Sequence, residues 1–151
     1  MATEAAARAF FSASHFAVVG ASSDPSKFGH KIFAWYIAHS LPAIPINPSA
    51  PSITFSGKGY ATLKDLSALP SPRTTSISII TPPKVTKLVL AEAKKLGVKS
   101  VWLQPGTFDD EILEGALRDF EAAVGGDGGR GGEGWCVLVD GEKAARGAGK
   151  L

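Results

Sequence analysis

Five short apolar runs occur along this chain, separated by longer and more polar segments. The first, from Phe16 to Val19, is continuously apolar. That pattern is typical of a parallel strand whose two faces are both covered by helices. Each run is followed by turn-forming or charged residues, as expected where a strand ends. The predicted strands lie at residues 15–19, 43–46, 75–80, 100–103 and 135–139.

The segments between the runs carry helical signals. Apolar residues recur at helical spacing from Val85 to Leu96, with Pro83 near the start and Gly97 following as a C-cap. An acidic cluster at residues 109–111 complements the dipole of a further helix, which we expect to reach about residue 123. Helices are also predicted at residues 4–12 and 29–39, and a long surface loop at residues 49–59, which are rich in Ser, Pro and Gly.

Alternating strands and helices predict an α/β protein: a Rossmann-like three-layer sandwich with a five-stranded parallel sheet, forming a single domain over residues 1–151. The loops that leave the carboxyl ends of the strands would meet at one edge of the sheet, where open α/β sheets bind ligands. Two stretches fall outside this core. Residues 125–134, seven of which are glycine, predict a mobile loop insertion, and residues 144–151 predict a frayed tail.

Composition narrows the class of protein without assigning a function. The 151 residues are 44% hydrophobic and 20% charged with a formal charge of +2, which predicts a globular protein and argues against a nucleic-acid partner. A single cysteine, Cys136, excludes an intramolecular disulfide, and no Cys/His cluster has metal-ligand spacing. No apolar run approaches the length of a membrane span. We expect a cytoplasmic protein, with a mitochondrial address left open and no membrane partner.

The loop after the first strand has the features of a phosphate-binding turn. Gly20 permits a tight exit from the strand, and the small Ala21 and Ser22 let a phosphate approach backbone N–H groups near the start of the next helix. Lys27 is the only cation of this loop and could reach a phosphate as a flexible point charge. A plain glycine turn and a solvated lysine are the structural alternatives.

The end of the second strand argues against a nicotinamide cofactor. Dinucleotide-binding folds place an acidic residue about 20 residues past the glycines to hold the adenine ribose. Here the strand ends in Asn47 and Pro48 instead. Asn47 could bond a ribose or a base edge through its amide, with Pro48 as a rigid apolar plate; an ordinary Asn-Pro turn is the alternative.

Four motifs taken together give the chain a resemblance to a known family. They are Val18-Val19-Gly20-Ala21-Ser22 with Lys27-Phe28-Gly29, then Pro45-Ile46-Asn47-Pro48, Thr81-Pro82-Pro83, and Val101-Trp102-Leu103-Gln104-Pro105-Gly106. In this order, over about residues 12–140, the chain resembles the stand-alone coenzyme A-binding proteins. Their fold is similar to the nucleotide-binding domain of the succinyl-CoA synthetase alpha subunit.

The resemblance implies a sheet of strand order 3-2-1-4-5 that holds the phosphoadenosine end of coenzyme A or an acyl-CoA. The resemblance implies that the phosphates face Gly20, Ala21, Ser22 and Lys27, and that Asn47 and Pro48 flank the nucleoside. It further implies that Thr81, Pro82 and Pro83 form the wall at the switch point of the sheet, with Gln104 and Gly106 on its far side.

One departure from the family concerns its cysteine. The family usually has Asp, a variable residue, Cys and an apolar pair after the last strand, whereas here Val139 is followed by Asp140 and Gly141. With the last strand at residues 135–139 the cysteine of that motif is missing, and Cys136 is expected to be a core residue inside the strand.

The chain offers no nucleophile with an adjacent base, and the G-x-S-x-G pattern is absent. We therefore expect a non-catalytic module that binds coenzyme A or an acyl-CoA, with regulation as one use of such binding. A small NAD(P)-dependent oxidoreductase and an interaction subunit without a ligand are the alternatives. Assembly into a homo-oligomer is left open.

Overall fold

A computed structural model describes residues 4–126 and 136–151 of the chain. Five parallel strands form the central sheet, in the spatial order β2-β1-β5-β6-β7. In β1, Val19 pairs with Ile46 on one side and with Ile79 on the other, so the three carboxyl ends are level. The strands are β1 (His15–Val19), β2 (Ala43–Ile46), β5 (Thr75–Ile79), β6 (Ser100–Leu103) and β7 (Ala122–Gly125), with β3 (Ser52–Phe55) and β4 (Lys58–Ala61) forming a separate hairpin.

Helices cover both faces of this sheet, as the apolar pattern of the strands requires. The helices are α1 (Glu4–Phe11), α2 (Phe28–Ala38), α3 (Pro83–Leu96), α4 (Asp110–Asp119) and α5 (Val137–Gly147). Alternate residues of β1 belong to two apolar clusters: Phe16 and Val18 pack with α1, α2 and α5, whereas Ala17 and Val19 pack with α3 and α4. The Rossmann-like three-layer α/β architecture is therefore confirmed.

The helix α1 is fastened to its face of the sheet by two aromatic side chains. Phe10 and Phe11 are fully buried, and their rings lie 5.5 and 6.0 Å from that of Trp102. Burial of each such side chain contributes about 1.5–3 kcal/mol. An alanine-rich helix of eight residues would be marginal by itself, so this packing is what holds α1 in place.

The strand order differs from the 3-2-1-4-5 that the resemblance implies. The predicted third strand, now β5, pairs with β1 rather than lying beyond β2, so the parallel strands counted along the chain run 2-1-3-4-5. The position outside β2 is occupied by a single parallel bridge between Ile46 and Leu63. The backbone groups of the segment after β2 are paired within the β3–β4 hairpin, so this segment does not add a full strand to the sheet beside β2.

The prediction of a fifth strand at residues 135–139 is wrong for residues 136–139, and residue 135 lies outside the described part of the chain. The fifth strand is β7, and residues 137–139 form the first turn of α5. The run Val137-Leu138-Val139 resembles a strand, but it is helical. The carboxylate of Asp140, inside the helix, accepts a hydrogen bond from Cys136 N at 3.0 Å, as the acidic residue of a capping box does. The strand β7 lies where the sequence predicts the end of a helix and the start of the glycine-rich loop. Its residues, Ala122 to Gly125, carry almost no β signal.

Two further predictions about irregular segments need correction. Residues 49–59 are not a plain loop, because they contain β3 and the start of β4. Residues 144–147 are not a frayed tail, because they belong to α5 and both Ala144 and Ala145 are buried in the core. Of the predicted glycine-rich loop 125–134, Gly125 ends β7 and residues 127–134 lie outside the described part of the chain.

Candidate functional site

The loops that follow β1, β2, β5 and β6 meet at the carboxyl edge of the sheet, as the sequence predicts. Three backbone hydrogen bonds join neighbouring strand exits along this edge. Gly20 N donates to Ile46 O at 3.1 Å, Ile80 N to Val19 O at 2.8 Å, and Gln104 N to Ile79 O at 3.2 Å. Because β1 lies between β2 and β5, the chain reverses its direction across the sheet here, which is where ligands bind in open α/β folds.

Two glycines bring the backbone of the first loop close to its neighbours. Gly20 has a φ of +98°, and a Cβ there would lie 2.3 Å from the carbonyl oxygen of Ile80. At the start of α2, a Cβ on Gly29 would lie 1.9 Å from the carbonyl oxygen of Gly20. Any larger side chain would push α2 away from β1. The start of α2 therefore lies directly against the end of the strand, which brings its positive dipole end to the loop.

The first loop keeps several backbone donors free. Within residues 4–126 and 136–151, the N–H groups of Ala21, Ser22 and Ser23 donate to no protein acceptor. The following residues are held by their own side chains. Asp24 N donates to Ser22 Oγ at 3.1 Å, and both Ser26 N and Ser26 Oγ donate to Asp24 Oδ1, at 2.9 and 2.7 Å. The bonds from Ser26 hold the pKa of Asp24 below its usual value, and Lys27 adds to the effect.

Lys27 stands at the N-cap of α2 and is exposed. Its backbone carbonyl accepts hydrogen bonds from His30 N and Lys31 N, and its side chain forms no ion pair with the described residues. A lysine in this position can reach an anion at the start of α2.

Asn47 acts as a brace between the first two loops. Its Nδ2 donates to Ala21 O at 3.0 Å, and its Oδ1 accepts from the N–H groups of Ser49 and Ala50 at 2.8 and 3.2 Å. The second part of this arrangement is the Asx turn that an Asn-Pro sequence favours. The first part holds the Ala21 carbonyl away from the free N–H groups. One Nδ2 hydrogen is left for a ligand.

The β3–β4 hairpin covers the side of the first loop, and sequence reasoning missed it. Thr54 N donates to Ser23 Oγ at 2.9 Å. His30 Nδ1 donates to Ser22 O at 2.9 Å, while its ring contacts Phe55 at 5.6 Å. The signal was present in Ser56-Gly57, a two-residue turn between strand-like residues. Both have positive φ, as tight hairpin turns require.

The third loop begins α3. Thr81 Oγ1 bonds Thr86 Oγ1 at 2.8 Å, and Thr86 Oγ1 also bonds Thr81 O at 3.1 Å. Pro82 is the N-cap, Pro83 is the first helical residue, and both are exposed. These three predicted residues therefore lie at the carboxyl edge, beside the strand-order switch.

The fourth loop places Gln104 differently from the wall that the resemblance implies. The side chain is fully buried, and its Oε1 accepts from Val137 N, the first residue of α5, at 3.1 Å. Its Nε2 is buried without a hydrogen-bond partner among the described residues. Gly106, with a φ of +85° and open space around it, is exposed at the edge.

Cys136 is not a strand residue, contrary to expectation. It is the N-cap of α5, it is 8% exposed, and it follows the true last strand after ten intervening residues, 126–135. Cys136 is followed by the apolar pair Val137 and Leu138, but Gly134 stands where the family motif has Asp, so the chain still departs from that motif. Burial raises the pKa of the Cys136 thiol, partly opposed by the N–H groups of Leu138 and Val139.

A separate cavity of about 320 Å³ lies at the opposite, amino edge of the sheet. Its lining includes Ser12, Arg73, Thr75, Lys99 and Ser100. It contains none of the residues that the sequence motifs single out. We therefore assign the candidate site to the carboxyl edge, where the free backbone donors lie.

The fold and the edge define the class: a Rossmann-like α/β domain with a phosphate-type loop at its switch point. A family model described as a CoA binding domain matches residues 14–128. The chain therefore belongs to the CoA binding domain family. The match ends before Cys136 and α5.

Solved structures share this fold. A hypothetical protein from Pyrococcus horikoshii is 21% identical, with 94% of this chain and 92% of that chain covered at a TM-score of 0.75. A conserved hypothetical protein from Pyrococcus furiosus is 30% identical, with 72% of this chain and 90% of that chain covered at a TM-score of 0.64. The apo form of a dinucleotide-forming acetyl-coenzyme A synthetase from Korarchaeum cryptofilum is 27% identical over 76% of this chain, but over only 26% of that chain, at 0.62.

Among the residues described, no helix has the length and apolar character needed to cross a bilayer. Groups of three or more His, Cys, Asp or Glu side chains placed to hold a metal are likewise absent from residues 4–126 and 136–151.

Proposed function

We propose that the chain binds coenzyme A or an acyl-CoA through its phosphoadenosine end, at the carboxyl edge of the sheet, without catalysing a reaction. The observation that carries this proposal is the set of free N–H groups at Ala21, Ser22 and Ser23. They lie beside the start of α2 in a chain of the CoA binding domain family. Backbone donors at a helix start are a ready site for phosphate oxygens.

The shape of the loop supports the proposal because its parts are preorganised. The Gly20–Gly29 contact fixes where α2 begins, and the Asn47 amide holds the Ala21 carbonyl. A ligand that enters such a loop finds its donors already placed, which lowers the ordering cost of binding. Lys27 adds a positive charge without being tied up in an ion pair with the described residues.

The nucleoside end is assigned to Asn47 and Pro48. No acidic side chain follows β2, so the ribose diol contact that is typical of NAD-binding sites is missing. Asn47 offers one amide hydrogen, and Pro48 offers an apolar face beside it. This composition favours a phosphorylated ribose over a free diol, because a carboxylate here would repel a phosphate.

The absence of catalysis is proposed from the surroundings of the three histidines. His30 Nδ1 donates to Ser22 O and His39 Nδ1 donates to Trp35 O at 2.7 Å, whereas His15 Nδ1 contacts Thr74 Oγ1 at 3.4 Å. The first two contacts go to backbone carbonyls, and the Thr74 hydroxyl lies at the amino edge of the sheet, away from the candidate site. A module that only binds would act by reporting or buffering the ligand, so we propose a regulatory use.

Thermal unfolding with and without ligand tests the proposal. A ligand at 100 times its dissociation constant stabilises by about 2.7 kcal/mol. For a chain of this length, that corresponds to a rise in Tm of about 5–10 °C. We expect this rise with coenzyme A or acetyl-CoA, and titration calorimetry should give a matching affinity.

Two comparisons make the test specific. Adenosine 3′,5′-bisphosphate should reproduce part of the stabilisation, since it carries the phosphoadenosine end, whereas pantetheine should give little. A rise in Tm with NADH or NADPH instead of coenzyme A would support an oxidoreductase and overturn the proposal. A lack of response to all of these ligands would point to an interaction subunit.

A further inference from the structure

Gln104 carries a buried side-chain donor that has no acceptor in the described part of the chain. The orientation of its amide is fixed, because Oε1 accepts from Val137 N at 3.1 Å and an exchanged amide would oppose two donors. A buried donor without a partner is unfavourable because it has lost its hydrogen bonds to water. Because none of the residues 4–126 and 136–151 supplies this acceptor, a ligand at the carboxyl edge could supply it.

The position of this donor relates it to the proposed coenzyme A site. Gln104 follows the carboxyl end of β6, as Gly20 follows that of β1, and β5 is the one strand of the sheet that lies between β1 and β6. With neighbouring strands about 4.8 Å apart, the Gln104 backbone lies roughly 10 Å along the edge from Gly20. The bonds from Gln104 N to Ile79 O and from Ile80 N to Val19 O make this row of exits continuous. A ligand anchored at Gly20 and extending along the edge reaches Gln104.

The charges at the start of α5 favour a neutral acceptor. Asp140 Oδ2 already accepts from Cys136 N at 3.0 Å, so a carboxylate caps this helix and opposes a second anion. The cations of α5 are engaged, since Lys143 pairs with Glu4 and Arg146 with Glu142. A carbonyl oxygen therefore suits the Gln104 Nε2 donor better than a phosphate does.

The same helix turn exposes apolar side chains. Leu138 is 38% exposed and Val139 is 75% exposed, directly after the buried Val137 that receives the Gln104 bond. Cys136, beside them, is a mostly buried thiol. A carbonyl acceptor next to apolar surface is the chemistry of a short acyl chain on a thioester.

We propose that Gln104 and the first turn of α5 form the acyl end of the site, where Gln104 Nε2 donates to a thioester carbonyl and the acyl chain lies against Leu138 and Val139. This inference rests on the proposed function and specifies its ligand as an acyl-CoA. Since Nε2 is buried, binding requires the Gln104 side chain or the first turn of α5 to shift.

Titration calorimetry of the full chain with CoA, acetyl-CoA and butyryl-CoA tests the inference. The wild type should bind butyryl-CoA about 10- to 100-fold more tightly than CoA, given one hydrogen bond and a few partly buried methylenes. Gln104→Glu keeps the acceptor for Val137 N and removes the amide donor, while Gln104→Met removes both. In each variant, the ratio of butyryl-CoA affinity to CoA affinity should fall about 3- to 10-fold, because the hydrogen bond to the thioester carbonyl is lost while the apolar contacts remain. Thermal unfolding verifies that each variant folds.

A matched pair of surface variants tests the apolar part. Val139→Ser should weaken butyryl-CoA relative to CoA, whereas Leu88→Ser, at an equally exposed position on α3, should not. If CoA and butyryl-CoA bind the wild type equally, or the Gln104 variants weaken both alike, the acyl assignment is overturned while coenzyme A binding stands. Failure of both ligands to bind overturns the proposed function as well.

Discussion

Gly29 lies directly against Gly20: a Cβ on Gly29 would come within 1.9 Å of the Gly20 carbonyl oxygen. The contact joins the start of α2 to the end of β1 and so sets the distance between the helix dipole and the free N–H groups of the loop. Ligand affinity and stability should both depend on it.

Gly29→Ala should therefore destabilise the protein although alanine is the better helix former. The helix-propensity gain of about 1 kcal/mol is smaller than the cost of overpacking against a backbone carbonyl, about 1–3 kcal/mol or more. Urea unfolding measures the difference. Gly115→Ala in α4 is the control, because its Cβ would meet only the flexible Arg118 at 3.7 Å and should raise stability. Equal effects of the two changes would contradict the contact.

Gly20→Ala tests the tight exit of the first strand. The variant combines a φ of +98° with a Cβ 2.3 Å from Ile80 O, so it should lose more stability than strain alone explains. Gly57→Ala supplies the comparison, since Gly57 has a φ of +76° with nothing near its Cβ. Strain at positive φ costs about 1–2 kcal/mol. Chemical denaturation should show Gly20→Ala as clearly worse, and binding of coenzyme A should weaken with it.

Asn47→Asp separates the brace from the turn. The carboxylate still accepts from Ser49 N and Ala50 N, but it cannot donate to Ala21 O and would repel that carbonyl. We expect a loss of about 1–3 kcal/mol in stability and weaker coenzyme A binding. Asn47→Ala, which loses all three bonds, is the reference. A gain in NADH affinity in Asn47→Asp, measured by calorimetry, would instead favour the dinucleotide alternative.

Tyr36 should make the protein sensitive to alkaline pH. Its hydroxyl bonds Ser78 Oγ at 2.6 Å in the core, and burial raises its pKa well above the usual value near 10. The folded state then keeps a proton that the unfolded state loses, so stability present below about pH 10 falls as pH rises above it. The loss attributable to Tyr36 should reach about 1.4 kcal/mol at pH 11.

Comparison with Tyr36→Phe isolates this contribution. The variant should be less stable than the wild type at pH 7, because Ser78 loses its partner, and the gap should narrow by about that amount at pH 11. Ser78→Ala, which keeps the tyrosine, should retain the alkaline loss. Unfolding curves at pH 7, 10 and 11 that run parallel for the wild type and Tyr36→Phe would contradict the prediction.

The sequence by itself determined the fold class and the edge that carries the site. Local signals were sufficient wherever a strand or helix has strong chemistry of its own, as in the apolar run of β1 and the Pro83 start and Gly97 end of α3. Because the carboxyl ends of parallel strands share one edge, the grouping of Gly20, Asn47, Thr81 and Gln104 followed from the strand assignments.

Only the tertiary structure decided the remaining features. The strand β7 has four small residues and is held by its pairing with β6. The residues Val137 to Val139 look like a strand, yet they form the first turn of α5, whose Val137 is buried in the core. Cys136 consequently stands at the N-cap of α5 and not inside a strand. The amides of Asn47 and Gln104 were named from the sequence, but their partners lie 26 and 33 residues away. Such long-range pairing depends on packing, which a local pattern does not encode.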